Sequence, residues 1–158
     1  MEWMPDIFMS QAIALAIENV RSGRGGPFAA VVVCGGQVIA TGTNQVTSIN
    51  DPTAHAEVVA IRAACQARKS FQLEDCDIYT SCEPCPMCLG AIYWARPKKV
   101  FYGALAADAA EAGFDDRFIY QEIARVKTRR KISFVPLMRE EALACFDAWK
   151  NQGNRVAY

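Results

Sequence analysis

A chain of 158 residues with 52 % hydrophobic side chains can bury one substantial core, and its length argues against a second domain, so one domain over residues 1–158 is expected. Its 17 lysines and arginines balance 17 aspartates and glutamates, which leaves no basic excess for neutralising phosphates and argues against nucleic acid as a partner. No run of about 18 apolar residues is present, and the amino terminus lacks a basic stretch followed by an apolar one; the expectation is a cytoplasmic protein without a membrane span, its seven cysteines reduced.

In chain order, Ile7, Ile13, Ile17 and Val20 recur at helical spacing and Gly23 is placed to end their helix, predicting a helix near residues 6–22. Ala29–Cys34 and Val38–Thr43 flank Gly35-Gly36 and read as a hairpin. Val58, Ile61 and Cys65 carry the apolar face of a helix over about 53–68, begun by Pro52 and capped by Asp51 or Thr53. Asp77–Ser81 is a strand. Met87–Ala95 is apolar on nearly every side and predicts a buried helix. Lys99–Ala104 is the next strand, Asp115–Ile123 a helix, Ile132–Leu137 a last strand, and Arg139–Gln152 an amphipathic helix bearing Leu143, Phe146 and Trp149. Strands alternating with helices in the second half imply parallel pairing. The basic run from Arg125 to Lys131 contains no aromatic residue and reads as a solvated loop.

Two short motifs concentrate the chemistry: His55-Ala56-Glu57 and Pro84-Cys85-Pro86-Met87-Cys88. Cys85 and Cys88 are one helical turn apart, so a helix opened by Pro86 turns both sulfurs to one side. With His55 they supply two thiolates and one imidazole. Three such ligands leave the fourth tetrahedral position of Zn²⁺ for water, as in a catalytic site, and because His55 is the sole histidine a two-His finger is excluded within the chain. Each motif is expected at a helix amino terminus, whose positive end favours thiolate over thiol. Cys82 adds a third member to a C-x-x-C-x-x-C run, but the fourth iron–sulfur position would be Ile92, and Cys82 ends an apolar strand; it is read as a small buried residue. Cys34, Cys65, Cys76 and Cys145 fall in apolar segments and are read as core. H-x-E followed by P-C-x-x-C is the signature of the zinc nucleobase deaminases, in which the glutamate moves protons without binding metal; Glu57 takes that role.

The segments Gly26–Ala30, Asn50–Glu57, Tyr79–Ala91 and Glu111–Asp116, with the final Tyr158, resemble the bacterial guanine deaminases of the cytidine deaminase fold. The likeness runs over nearly the whole chain. It implies an α/β fold of three layers, a mixed five-stranded sheet between helices, one zinc per chain, hydrolysis of guanine to xanthine and ammonia, and a homodimer in which the segment 139–158 is exchanged. It also implies that Asn44 and Ala56 contact the purine and that Tyr158 folds over it. Phe28 is placed either to stack on the base or to join the core, and Trp94 in the core or an interface, with a side role in closing the pocket. Asp116 matches guanine by chemistry: the base presents a ring N–H and an amine on one edge, and a carboxylate only accepts. Adenine has no such ring N–H. Asp115 beside it reads as a helix cap. The alternatives are a tRNA adenosine deaminase sharing the same zinc motifs, a cytosine deaminase, and a non-catalytic zinc module, which would need neither Glu57 nor an open ligand position.

Overall fold

The structure, a computed structural model, describes residues 5–158. It divides into two compact units, the first ending at Asp116 and the second covering 117–158. In the first, helix α1 (Pro5–Arg21) leads to strands β1 (Ala29–Cys34) and β2 (Gln37–Thr43), then to a single turn α2 (Val46–Ile49) and helix α3 (Ala56–Arg68). Strand β3 (Cys76–Cys82), helix α4 (Pro86–Ala95), strand β4 (Lys99–Ala104) and the short helix α5 (Ala106–Glu111) complete it.

Gly35 and Gly36 both hold positive φ, the conformation that a two-residue hairpin turn demands, and β1 and β2 pair antiparallel as the sequence predicts. The sheet order is β2-β1-β3-β4, with β1 antiparallel to β3 and β3 parallel to β4. The sheet is mixed, as expected, but four-stranded. The predicted fifth strand, Ile132–Leu137, is not a strand; Ile132, Phe134, Val135 and Leu137 are 56 to 82 % exposed. A strand exists only where a neighbour takes its backbone bonds, and among the described residues this segment has none.

β1 is buried on both faces, which explains its unbroken run Ala-Ala-Val-Val-Val. Ala30 and Val32 point to a cluster with Ala56, Ala60, Ala64, Ile78 and Ile92; Val31 and Val33 point to α1, where Phe8, Met9 and Ala12 meet Tyr79 and Phe101. Helices therefore cover both faces in three layers. Which helix faces are buried differs from the prediction. On α1 the predicted core residues Ile7, Ile13, Ile17 and Val20 are 44 to 54 % exposed, while Ala12, Ala16 and Asn19 lie against the sheet. On α3, Val58 is buried as expected, but the face against the sheet is formed by Ala56, Ala60 and Ala64, fully buried, while Ile61 and Cys65 pack only at the margin. Small side chains win at both places because they let a helix axis approach the sheet. Gly42 on β2 marks the limit of that approach: a Cβ there would collide with the Ala56 carbonyl and the Ala60 amide.

α4 is not the buried helix its composition predicts, for only Cys88, Ile92 and Ala95 are buried and the outer face is open. Nor are all the cysteines free. Cys34 and Cys76 stand opposite each other in the β1–β3 register and are joined by a disulfide, which corrects their reading as reduced thiols but leaves Cys76 in the core and Cys34 packed against it; Cys145 is exposed, and its reading as core is corrected.

The second unit holds α6 (Arg117–Ala124), a 3₁₀ turn at Lys127–Arg129, α7 (Arg139–Asn151) and the tail. The basic run is largely exposed, as expected, with Arg130 set over the Phe134 ring. No helix of the described residues is long and apolar enough to cross a membrane.

Candidate metal and base-binding site

Strand direction assembles the site. The register pairs Ala29 with Thr43 and Ala30 with Thr80, and Cys82 with Ala104, so the carboxyl ends of β2, β3 and β4 share one edge of the sheet with the amino end of β1. Open α/β sheets bind ligands at such an edge. Asn44 follows β2, the Pro84–Cys88 motif follows β3, and Phe28 precedes β1.

His55 is the N-cap of α3 and Cys85 the N-cap of α4, both in extended conformation, with Pro86 at the first helical position of α4. The predicted helix start is thereby corrected: Asp51 and Thr53 do not cap α3. Asp51 closes the preceding turn, accepting from the Thr53 amide at 2.8 Å and its hydroxyl at 2.7 Å, and these bonds hold its carboxyl below the usual carboxylate range. Neither N-cap side chain makes a capping bond. They turn to each other instead. His55 Nδ1 lies 3.5 Å from Cys85 Sγ and 3.6 Å from Cys88 Sγ, and the three ligand atoms all fall within 4.8 Å of one another. Zn–N of about 2.0 Å and Zn–S of about 2.3 Å at a tetrahedral ion separate N from S by roughly 3.5 Å, so these three side chains fit zinc without rearrangement.

The two sulfurs are electrostatically coupled. The proximity of Cys88 brings Cys85 down to about 4 and that of Cys85 drives Cys88 upward, while the Cys85 contact raises His55. A cation bound by the three side chains would displace their protons, the usual exchange at a thiolate–imidazole site. Cys82 sits outside the cluster; burial pushes its thiol up to about 11, in keeping with a packed residue.

Glu57, in the first turn of α3, is 6 % exposed. Burial raises its carboxyl above the ordinary value. Its Oε2 accepts from Cys88 Sγ at 3.3 Å and its Oε1 from the Thr80 hydroxyl at 3.4 Å. The carboxylate thus touches the metal-ligand cluster without joining it. Thr80 was not singled out by sequence reasoning; the available signal was a hydroxyl at an inward position of β3, where its neighbours Ile78 and Cys82 on the same face are apolar.

Asn44 is buried, and its Oδ1 accepts from the amides of Gly26 at 3.4 Å and Val46 at 3.3 Å. That leaves its Nδ2 as the group to offer a ligand, a donor alone rather than the donor and acceptor expected of a free asparagine. Asp116 is half-buried within electrostatic reach of the cluster: burial first, then the charge of Cys85, raises its carboxyl. Phe28 meets Phe114 edge to face at 5.0 Å, bringing the Glu111–Asp116 segment to the amino end of β1. Ala56 is fully buried in the core beneath α3. Trp94 is 63 % exposed and off the stripe that α4 buries, so it is not core. Tyr158, at the end of the second unit, is 70 % exposed.

A family profile described as the cytidine and deoxycytidylate deaminase zinc-binding region matches residues 4–104. The guanine deaminase of Bacillus subtilis is 58 % identical over 153 residues, 97 % of this chain and 98 % of that one, and a solved structure of guanine deaminase from B. subtilis superposes with TM-score 0.96 at 56 % identity over 100 % of this chain and 99 % of that chain. A guanine deaminase structure from Nitrosomonas europaea superposes with TM-score 0.68 at 34 % identity, over 71 % of this chain and 65 % of that chain. The tRNA-specific adenosine deaminase of Agrobacterium fabrum is 46 % identical over 49 % of this chain and 51 % of that one. On the matched zinc-binding region and the full-length likeness together, the chain belongs to the cytidine and deoxycytidylate deaminase family.

Proposed function

We propose that this chain hydrolyses guanine to xanthine and ammonia, with one zinc held by His55, Cys85 and Cys88. The observation that carries the reading is the likeness to the B. subtilis guanine deaminase over 97 % of the chain, through the segments that build the rim of the site as well as the zinc motifs. Likeness to the A. fabrum tRNA enzyme spans 49 %.

Held by His55, Cys85 and Cys88, a zinc ion would lower the pKa of a water to about 7 and so would supply a nucleophile at neutral pH. Glu57 takes one proton from the attacking water and passes it to the ring nitrogen beside the attacked carbon, then takes the proton of the hydroxyl that has added to that carbon and gives it to the departing amine, which leaves as ammonia. Its raised carboxyl suits both directions, since a group that exchanges protons near neutrality must bind them more firmly than an exposed glutamate does. Asp116 accepts from the ring N–H of guanine, and Asn44 Nδ2 donates to an acceptor on the base. Phe28 with Phe114 supplies an aromatic wall. Tyr158 folds over the bound purine as a lid that excludes water.

The working unit is a homodimer that exchanges its C-terminal segment. Two features support this: the outer edge of β4 has no strand neighbour among the described residues, and 132–137 carries the apolar residues of a strand with nothing paired to it. A cytosine deaminase would not need the donor-matching Asp116, and a non-catalytic zinc module would not need a buried Glu57 beside its ligands.

The test measures ammonia release from guanine and from a tRNA carrying adenosine in its anticodon loop, for the parent and for Glu57→Gln. Guanine turnover by the parent is expected, with a loss of about a hundred- to ten-thousandfold in Glu57→Gln at one zinc per chain in both proteins. Deamination of the tRNA without turnover of guanine overturns the substrate, and full activity in Glu57→Gln overturns the proton shuttle.

A further inference from the structure

Four polar side chains are buried among the described residues: Asn44, Glu57, Thr80 and Asn19. The first three belong to the site. Asn19 lies in α1, is 0 % exposed, and occupies the face that Ala12 and Ala16 press onto the sheet. Its Nδ2 spends both protons, donating to the Gly26 carbonyl and, 25 residues away, to the Asn44 carbonyl, each at 2.9 Å. Its Oδ1 is buried without a partner. Such a group carries a desolvation cost that an alanine, like its two neighbours on that face, would avoid. The amide is therefore held for its two donors.

Those two donors close a ring of hydrogen bonds around the Asn44 side chain. Gly26 accepts from Asn19 through its carbonyl and donates to Asn44 Oδ1 through its amide; the Asn44 amide in turn donates to the Phe28 carbonyl at 3.0 Å. Gly25 lets the strands of this ring meet, for a Cβ there would strike the Asn44 carbonyl. With the main chain of Asn44 tied at both N–H and C=O, and its Oδ1 turned to Gly26, the amide can present only Nδ2.

We propose that Asn19 is a positioning residue for base recognition, holding Asn44 so that a donor, and never the opposing oxygen, faces the purine. The proposal rests on the reading of Asn44 as a base contact. Without Asn19 the Gly26–Asn44 arrangement is free to relax, and an amide turned by half a circle sets its oxygen against an acceptor of the base. The penalty falls on guanine turnover and not on zinc, because no ligand lies on α1, the Gly25–Gly26 turn or Asn44.

A double-mutant cycle of Asn19→Ala and Asn44→Ala tests this, reading kcat/KM for guanine, melting temperature and zinc content of the full chain. Asn19→Ala is expected to lose about tenfold or more in kcat/KM with one zinc per chain. In the Asn44→Ala background the same change should cost less than about twofold, while its effect on melting temperature persists, since the bond to the main-chain carbonyl of residue 44 is lost in both backgrounds. A residue that only supports the fold would give losses that add in full. Additive losses, or guanine turnover within twofold of the parent in Asn19→Ala, overturn the proposal. If Asn44→Ala alone matches the parent, the reading of Asn44 as a base contact fails and Asn19 with it; if Asn44→Ala is impaired and Asn19→Ala adds in full, Asn19 alone is withdrawn. Should Asn19→Ala not fold, Asn19→Ser, which keeps one hydroxyl donor, enters the same cycle under the same criteria.

Discussion

At the scale of the residue, the proposed choice of guanine rests on one carboxylate, Asp116. Asp116 is partly desolvated and feels the charge of Cys85, both of which raise its carboxyl. If it receives the ring N–H of guanine, Asp116→Ala leaves that donor unpaired in a closed pocket, at about 1–3 kcal/mol, or roughly five- to a hundredfold in kcat/KM. Zinc content and melting temperature should stay with the parent, as the side chain makes no core contact. Steady-state kinetics with guanine decides the matter: equal kcat/KM in Asp116→Ala and the parent removes the residue from the site.

At the scale of elements, the site depends on how closely α3 lies on β2. His55 immediately precedes α3, so any displacement of that helix carries the imidazole away from the two sulfurs of α4. Gly42 permits the contact. Gly42→Ala forces a methyl group against the backbone of Ala56 and Ala60, an overpacking that costs about 1–3 kcal/mol and lowers the melting temperature by about 2–4 °C for each of those. The variant should also lose zinc faster than the parent to a competing chelator. Unchanged melting and unchanged zinc release in Gly42→Ala would show that α3 is seated by other contacts.

At the scale of the whole molecule, the proposed lid belongs to the second unit, residues 117–158. Phe118, Ile123, Phe146 and Trp149 are exposed in the second unit, and so is the Tyr158 ring. An ordinary terminus with these properties frays and is dispensable. A lid is not. Deleting residues 154–158 should therefore preserve zinc content and melting temperature while collapsing guanine turnover, and mixing the deleted chain with Glu57→Gln should restore activity in hybrid dimers, where one intact site receives an intact tail. Normal turnover by the truncated chain withdraws Tyr158 from the site and leaves the zinc ligands untouched.

What the sequence alone determined is chemistry written at short range. Cys85 and Cys88 are one turn apart, Pro86 opens their helix, Glu57 stands two residues from His55, and Gly35-Gly36 closes a hairpin; each follows from spacing or from the φ a residue allows, with no knowledge of distant neighbours. The convergence of both motifs at helix amino termini was legible for the same reason. What only the tertiary structure decided involves partners tens of residues apart. The apolar stripe of Ile13, Ile17 and Val20 gave way to Ala12, Ala16 and Asn19 because proximity to the sheet, and not hydrophobicity, selects the smaller face. Cys34 met Cys76 through the β1–β3 register, and Thr80 met Glu57 across 23 residues of sequence once α3 was seated on β1 and β2. The amide of Asn44 became a pure donor through Gly26 and Val46 and, by way of its main chain, through Asn19. The strand pattern at 132–137 shows the same division: alternation and β-branched residues specify a willingness to pair, but a strand forms only when another edge is there to take its hydrogen bonds.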